Sequence, residues 1–358
     1  MTHQLNDIQK IKTLDSKNML GSLELLGAQI SEVGVVFQGL KLPESYKNCK
    51  NIVVAGMGGS ALGAHIIKTL FAKNLAVPVE IINHYELPAY VSEESLVVVS
   101  SYSGTTEEAV SAFKSATNKN ASVVVICAGG ELAKLAEEKK VPALVFTTKN
   151  NPCGSPRMGL GYSIFGQLYI FARLGFVNFS ENDFAEAIGV VEKYNIQFGV
   201  NSLLEDNTAK KFAEKINDKS VWFSGSEHLV GNAHVSANQM NENAKRFAGY
   251  FVVPEFNHHL MEGMMKPENN PDNLVFITLE SNLYHPKVQR RYEVTKTVLE
   301  KNNISYLSYQ CQENETWSQM IEVLVFGSYL SFYTAISHDI DPTAIPFVDF
   351  FKQALNTK

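Results

Sequence analysis

Two segments rich in glycine and hydroxyl side chains each come directly after a run of β-branched residues. Residues 56–60 (GMGGS) follow the strand pattern at 51–55, and residues 101–106 (SYSGTT) follow the strand pattern at 96–100. Glycine lets the backbone approach a ligand closely, and helix N-terminal amides favour an anion. One helix cap needs only one hydroxyl. Several hydroxyls within six positions therefore indicate a phosphate site.

Side chains that can move protons follow in the second half of the chain. Glu242 lies in residues 241–245 (NENAK), and His258 and His259 lie in residues 254–259 (PEFNHH). A carboxylate and an imidazole brought into one cleft can act as base and acid. The spacing alone fits solvated side chains equally well. A zinc site formed by the two histidines and Glu262 is a weaker alternative, because the segment contains no HExxH motif.

The glycine-rich turn also allows a dinucleotide interpretation. Gly56 and Gly58 match the first two glycines of that fingerprint, with Ala61 in place of the third. The fingerprint needs an acidic residue at the end of the second strand to bind the ribose. The predicted second strand ends at Asn83, so the pattern does not favour NAD.

Composition excludes several classes of protein. The chain has 358 residues, of which 45% are hydrophobic and 19% charged, and its net charge is −6. These proportions exclude wholesale disorder, and the lack of basic excess argues against nucleic acid as a partner. No signal-peptide core or membrane span is expected, and the apolar residues 320–336 are predicted to form a buried helix. Four scattered cysteines without a CxxC pair fit a cytoplasmic protein.

The candidate residues must be positioned by strands that alternate with helices along the chain. Short apolar runs separated by helical patterns occur in both halves of the chain, at 51–55, 79–82, 96–100, 122–127 and 143–147, then at 220–224, 251–253, 274–279 and 305–309. Continuous apolar runs are typical of strands buried on both faces. The order predicts an α/β fold of two domains, each a doubly wound, mostly parallel sheet flanked by helices. The polar stretch at 178–206 contains or adjoins the junction, and we place the boundary between residues 185 and 186.

Four motifs in this order resemble the sugar isomerase (SIS) domain family. They are GMGGS, SYSGTTEE, NENAK with PEFNHH, and a tail containing Asp341-Pro342 and Phe350-Phe351-Lys352. The hydroxyl-rich loop is common to SIS domains. The combination of NENAK with the histidines is similar to the narrower family of bifunctional phosphoglucose/phosphomannose isomerases. The resemblance runs from about residue 50 to the C-terminus. It implies a first SIS domain with an N-terminal helical extension in residues 1–185, and a second SIS domain with a C-terminal helical tail in residues 186–358.

The resemblance also implies roles for individual residues. The substrate phosphate is expected to bind the two hydroxyl-rich loops, at Gly59, Ser60, Ser101, Ser103 and Thr106. Arg157, in the GSPR segment, is expected to hold the reacting centre, and Glu242 to be the base for isomerisation. His258, supplied by a partner subunit, and Lys352, on the tail helix, are expected to assist ring opening. His259 and Thr105 stand where relatives often have asparagine, and neither is assigned to the chemistry.

The implied activity is an aldose–ketose isomerase. It would interconvert glucose 6-phosphate, and mannose 6-phosphate if the base tolerates both epimers, with fructose 6-phosphate through a cis-enediol. No cofactor or metal is expected, and neither a nucleic acid nor a membrane is expected as a partner. The expected assembly is a homodimer sharing His258. A non-catalytic sugar-phosphate sensor and an isomerase for another (amino-)sugar phosphate are the alternatives. The sequence leaves open the preferred epimer and whether Arg157 or Lys245 lies closer to the sugar.

Overall fold

The computed structural model describes residues 3–356 and contains two parallel sheets flanked by helices. Three helices precede the first sheet: α1 (Ile8–Leu14), α2 (Met19–Glu24) and α3 (Leu26–Gln38). The helix α3 carries Gln29, whose fully buried amide donates to the carbonyl oxygens of Asn150 and Met158 and accepts from the backbone N–H of Gly161. The N-terminal extension therefore braces the segment that contains Arg157.

The first sheet has five strands in the order β2-β1-β3-β4-β5, and all of its pairs are parallel. The strands are β1 (Asn51–Ala55), β2 (Val79–Ile82), β3 (Ser95–Ser101), β4 (Ser122–Cys127) and β5 (Ala143–Val145). Valine, isoleucine and leucine make up more than half of each of the strands β1, β3 and β4, which are buried almost throughout. The chain leaves β1 for β2 on one side and β3 for β4 on the other. This switch point between β1 and β3 is where doubly wound sheets bind ligands.

Helices cover both faces of this sheet and connect it to the second. They are α4 (Leu62–Leu70), α5 (Glu107–Asn118), α6 (Gly130–Lys139), α7 (Gly166–Arg173), α8 (Glu181–Phe198) and α9 (Thr208–Ile216). A π-helical turn at Gly161–Phe165 leads into α7. The polar stretch at 178–206 is thus mostly helical. A capping box between Ser180 and Asp183 starts α8, and its apolar residues are buried at helical spacing. The boundary placed between residues 185 and 186 falls inside α8 and stays a prediction.

The second sheet has four parallel strands in the order β7-β6-β8-β9. They are β6 (Ser220–Gly225), β7 (Ala248–Val252), β8 (Leu274–Glu280) and β9 (Ser305–Gln310). The strand β7 begins three residues before the predicted run at 251–253, because Ala248 and Gly249 pair with β6 although they contribute little apolar pattern. The sheet's helices are α10 (Val230–Ala244), α11 (Phe256–His259), α12 (Asn270–Asn273), α13 (Pro286–Lys301), α14 (Thr316–Ser337) and α15 (Pro346–Asn356).

The long helix α14 forms the centre of the second half and packs against α8, α9 and α10. Among residues 3–356 it alone is long and apolar enough to cross a membrane, and 94% of its most apolar window is buried inside the fold. Core helices meet the same length and composition test. This burial fits the prediction of a buried helix at 320–336.

Candidate active site

The two hydroxyl-rich loops meet at the carboxyl ends of β1 and β3. These strands are neighbours in the sheet, so the loops that follow them lie side by side. The Ser60 side chain is buried, and its Oγ accepts a hydrogen bond of 2.9 Å from the backbone N–H of Tyr102. One bond thus ties the GMGGS turn to the SYSGTT loop, and both lie at the switch point of the sheet.

The SYSGTT loop is held in shape by its own hydroxyls. The Oγ of Ser101 lies 2.9 Å from the Oγ1 of Thr106 and accepts a 3.1 Å hydrogen bond from the backbone N–H of Gly104. Gly104 has φ +69°, and a Cβ there would lie 1.9 Å from the carbonyl oxygen of Gly129. Only glycine fits this turn. Ser103 lies at the exposed mouth of the loop, where its hydroxyl can reach a ligand.

Arg157 lies directly beside the hydroxyl-rich loops. It is part of a helical turn at Pro156–Met158 and is only 2% exposed. The backbone of Gly59 packs so closely against this turn that a Cβ would be 3.0 Å from the backbone nitrogen of Arg157. The close approach brings the predicted phosphate ligands and the predicted reaction-centre arginine into one region.

The Arg157 guanidinium joins three parts of the chain. Its Nε donates to Oδ1 of Asn243 at 2.5 Å, and its Nη1 donates to Oε2 of Glu242 at 3.3 Å. Its Nη2 donates to the carbonyl oxygens of Pro342 and Thr343 at 3.1 and 3.0 Å. Burial lowers the pKa of Arg157, while the nearby Glu242 carboxylate acts in the opposite direction. Arg157 therefore orients the candidate base directly.

Glu242 lies in the last turn of α10, with its side chain 37% exposed. The carboxylate is thus fixed on one side by a buried cation and open to solvent on the other. A base that must reach a bound sugar needs this combination of orientation and access. The neighbouring Asn243 is fully buried and also donates to the Ser331 hydroxyl of α14 at 3.0 Å.

Lys245 holds the start of the tail. Its Nζ donates to the carbonyl oxygens of Asp341 and Pro342 at 2.7 and 3.0 Å. Burial, reinforced by the charge of Arg157, lowers the pKa of Lys245 to about 8. Arg157 contacts Glu242, whereas Lys245 and Arg157 together fix the segment that leads into α15.

The remaining two predicted catalytic side chains lie on exposed surface. His258 is on the short helix α11 that follows β7, and Lys352 is on α15. Both residues are exposed in the single chain. Their assignment to ring opening stays a prediction. As for the zinc alternative, no group of three His, Cys, Asp or Glu side chains within residues 3–356 is arranged to hold a metal ion.

Two parts of the site were not predicted from the sequence. They are Asn243 and the carbonyl groups of residues 341–343, the segment before α15 that we call the tail root. Asn243 was visible only as a member of the NENAK motif. The acceptors at Pro342 and Thr343 are backbone carbonyl oxygens, so their residue types do not indicate this role. They lie 185 and 186 residues from Arg157 in the chain. Only the tertiary fold reveals their role in holding the arginine.

Comparison with known proteins agrees with the motifs. Residues 45–152 match the SIS domain, and residues 205–355 match the bacterial phospho-glucose isomerase C-terminal SIS domain. A bifunctional phosphoglucose/phosphomannose isomerase of Caldicellulosiruptor bescii is 28% identical over 94% of this chain and 98% of its own. One of Thermoplasma acidophilum is 25% identical over 86% of this chain and 90% of its own.

Solved structures show the same fold. A hypothetical protein from Thermus thermophilus superposes with a TM-score of 0.75 at 16% identity, covering 97% of this chain and 93% of that one. The two matched domains also contain the two parallel sheets described above. The chain therefore belongs to the SIS-domain family and carries two such domains, the second of the bacterial phospho-glucose isomerase type.

Proposed function

We propose that this protein is an aldose–ketose isomerase that interconverts glucose 6-phosphate and mannose 6-phosphate with fructose 6-phosphate. The observation that carries the proposal is the contact between Glu242 and the buried Arg157, next to two loops suited to phosphate. The relatives named as bifunctional phosphoglucose/phosphomannose isomerases support the choice of substrates. A non-catalytic sensor would need the phosphate loops but not an oriented carboxylate.

In the proposed mechanism, binding begins at the phosphate. Hydroxyls of Ser60, Ser101, Ser103 and Thr106 and the backbone at Gly59 hold this group away from the reacting carbons. Binding energy from a remote group can position the reacting atoms, which raises the rate of the chemical step. Ring opening then requires one proton to leave the anomeric hydroxyl and another to reach the ring oxygen. We assign this step to His258 and Lys352.

Glu242 then transfers the proton between C1 and C2. As a carboxylate it removes the proton from one carbon, giving a cis-enediolate, and as a carboxylic acid it returns a proton to the other carbon. A proton passes between O1 and O2 in the same step, so that the former carbonyl oxygen becomes a hydroxyl and the former hydroxyl becomes the carbonyl. Negative charge develops on the enediolate oxygens, and the guanidinium of Arg157 is placed to stabilise it. Return of the proton to either face of C2 gives either the glucose or the mannose epimer.

The proposed working form is a cytoplasmic homodimer in which each site receives His258 from the partner subunit. The exposed position of His258 in the single chain supports this assignment. Sharing of a residue between subunits would make activity depend on assembly.

The assay uses purified protein and fructose 6-phosphate, with and without EDTA. We expect glucose 6-phosphate and mannose 6-phosphate to form at rates that EDTA does not change. Failure to form either sugar phosphate under both conditions would overturn the proposal. Activity abolished by EDTA and restored by zinc would instead support a metal-dependent mechanism.

A further inference from the structure

The second sheet repeats the strand order of the first, so it has an equivalent position for a ligand. Its order β7-β6-β8-β9 matches β2-β1-β3-β4 strand for strand, and all of these pairs are parallel. The switch point of the second sheet therefore lies at the carboxyl ends of β6 and β8, where doubly wound sheets bind ligands. The phosphate is proposed to bind only the loops of the first sheet, so this second position has no assigned role.

The loops at the second switch point are held by side chains of the protein itself. Glu227, which follows β6, has φ +42°, and its Oε1 accepts a 2.6 Å hydrogen bond from the backbone N–H of His285. Its Oε2 lies 3.2 Å from Nζ of Lys73. The hydroxyl of Ser281, which follows β8, donates to Oε1 of Gln319 at 2.6 Å. Because a carboxylate of the chain already accepts from the loop amide, these loops do not form a second phosphate site.

A polar cavity of about 240 Å³ lies next to these loops, between the carboxyl ends of β8 and β9 and one face of α13. Pockets for drug-sized ligands have volumes of about 300–1,000 Å³, so this cavity suits a molecule of about one sugar ring. Glu280 and Lys296 are partly buried in its wall, and Asn282, Glu293 and Gln310 are exposed at its mouth. None of its lining residues is among those proposed to bind phosphate or to move protons.

The ion pair in the wall keeps part of its hydrogen-bonding capacity free. Nζ of Lys296 lies 3.0 Å from both carboxylate oxygens of Glu280, and Oε1 of Glu280 also accepts from the Thr278 hydroxyl at 2.8 Å. A carboxylate has about four lone-pair sites, and an ammonium group has three N–H donors. Three lone-pair sites and two N–H donors are used. One acceptor and one donor therefore remain side by side at the cavity.

A buried tyrosine forms another part of the wall. Tyr292 lines the cavity and is only 2% exposed. Ser224 and Tyr284 lie close to its hydroxyl, but within residues 3–356 this hydroxyl forms no hydrogen bond. A buried hydroxyl without a partner destabilises the fold, and a ligand that bonds to it removes this cost.

The charges of the cavity favour a neutral ligand. Lys296, the one cation among the lining residues, is already bound to Glu280, and Glu293 adds a second carboxylate, so an anion is repelled. A cation or a zwitterion would have to break the pair and leave a partly buried charge without its partner. A vicinal diol leaves the pair intact, because one hydroxyl donates to the free carboxylate site and the other accepts from the free N–H.

We infer that this cavity binds a neutral, monosaccharide-sized polyol at the Glu280–Lys296 pair. Vicinal hydroxyls bridge the pair, a further hydroxyl bonds to Tyr292, and the amides of Asn282 and Gln310 contact the ligand at the mouth. The inference goes beyond the proposed isomerase and does not depend on it, since the ligand carries no phosphate and the site shares no residue with the proposed reaction.

The test is calorimetric titration of the full chain with D-glucose, D-glucuronate and protonated D-glucosamine, which share one ring size and differ in charge. Glucose should bind saturably, and each of the two charged sugars should bind at least tenfold more weakly. Absence of saturable glucose binding, or tighter binding of either charged sugar, would overturn the inference.

Two variants locate the ligand. Lys296→Met removes the free donor but keeps the length of the side chain, and Gln310→Trp fills the mouth from an exposed position at the end of β9. Each should weaken glucose binding at least tenfold. The matched control is Lys301→Met, at an exposed position on the same helix α13, which should bind glucose as the wild type does. Glucose binding that neither Lys296→Met nor Gln310→Trp changes would place the sugar elsewhere and contradict the inference.

Discussion

Glu242→Gln is expected to lower kcat for isomerisation by about 10²- to 10⁴-fold, the usual contribution of a positioned general base. The substitution keeps the size of the side chain and leaves an amide oxygen that can still accept from Nη1 of Arg157. It removes the group that takes the proton from carbon. Because Glu242 makes no direct contact with the hydroxyl-rich loops that are proposed to bind the phosphate, binding of fructose 6-phosphate should change by less than about threefold by calorimetry.

The control for this prediction is Glu192→Gln, which neutralises an exposed carboxylate on α8. This variant should have wild-type kcat and wild-type binding. If Glu242→Gln keeps more than a third of the wild-type kcat, Glu242 is not the base. A loss of sugar-phosphate binding in the same variant would mean that Glu242 acts mainly in shaping the site.

Arg157→Lys is expected to lower kcat by about 10²- to 10³-fold, comparable to the loss of a donor that stabilises an oxyanion. Lysine keeps the charge but cannot reproduce the planar set of donors that reaches Asn243, Glu242 and the two carbonyl groups of the tail root together. The base would lose its orientation, and the enediolate would lose its fixed positive charge.

The same substitution should also lower the thermal unfolding midpoint. It leaves buried acceptors without partners, at a cost of about 1–3 kcal/mol for each unsatisfied group. The control is Arg173→Lys at an exposed position on α7, where neither kcat nor the midpoint should change. A lysine variant with kcat within threefold of the wild type would show that the geometry of the guanidinium is not needed.

The sequence predicts those parts of the fold that depend on short runs of neighbouring residues. Valine-rich runs and glycine-rich turns indicated the strands β1, β3 and β4 and the loops after them, because burial on both faces and positive φ angles restrict the residue types allowed. The apolar run at 251–253 predicts the start of β7 too late in the chain, since Ala248 and Gly249 pair with β6 without adding to the apolar pattern. The many polar residues of α8 similarly made the helix difficult to predict, although its apolar residues are buried at helical spacing.

The candidate site could be predicted only in part. Residue types and motifs pointed to Glu242 and Arg157, but neither spacing nor composition indicates that their side chains touch. Their contact depends on α10 and the turn at Pro156–Met158 meeting in space, and on the tail root closing over the arginine. The sequence predicts a C-terminal helical tail that carries Lys352, but it does not show that the apolar face of α15 is exposed, because an exposed apolar face and a buried one have the same periodicity.

The most direct test of the proposed mechanism is isomerisation of fructose 6-phosphate in D₂O, followed by nuclear magnetic resonance of the products. A carboxylate that carries the proton between C1 and C2 can exchange it with solvent. Glucose 6-phosphate and mannose 6-phosphate should therefore both form and both carry deuterium at C2, and Glu242→Gln should abolish this incorporation. Incorporation of deuterium at C2 that Glu242→Gln leaves unchanged would contradict proton transfer by Glu242.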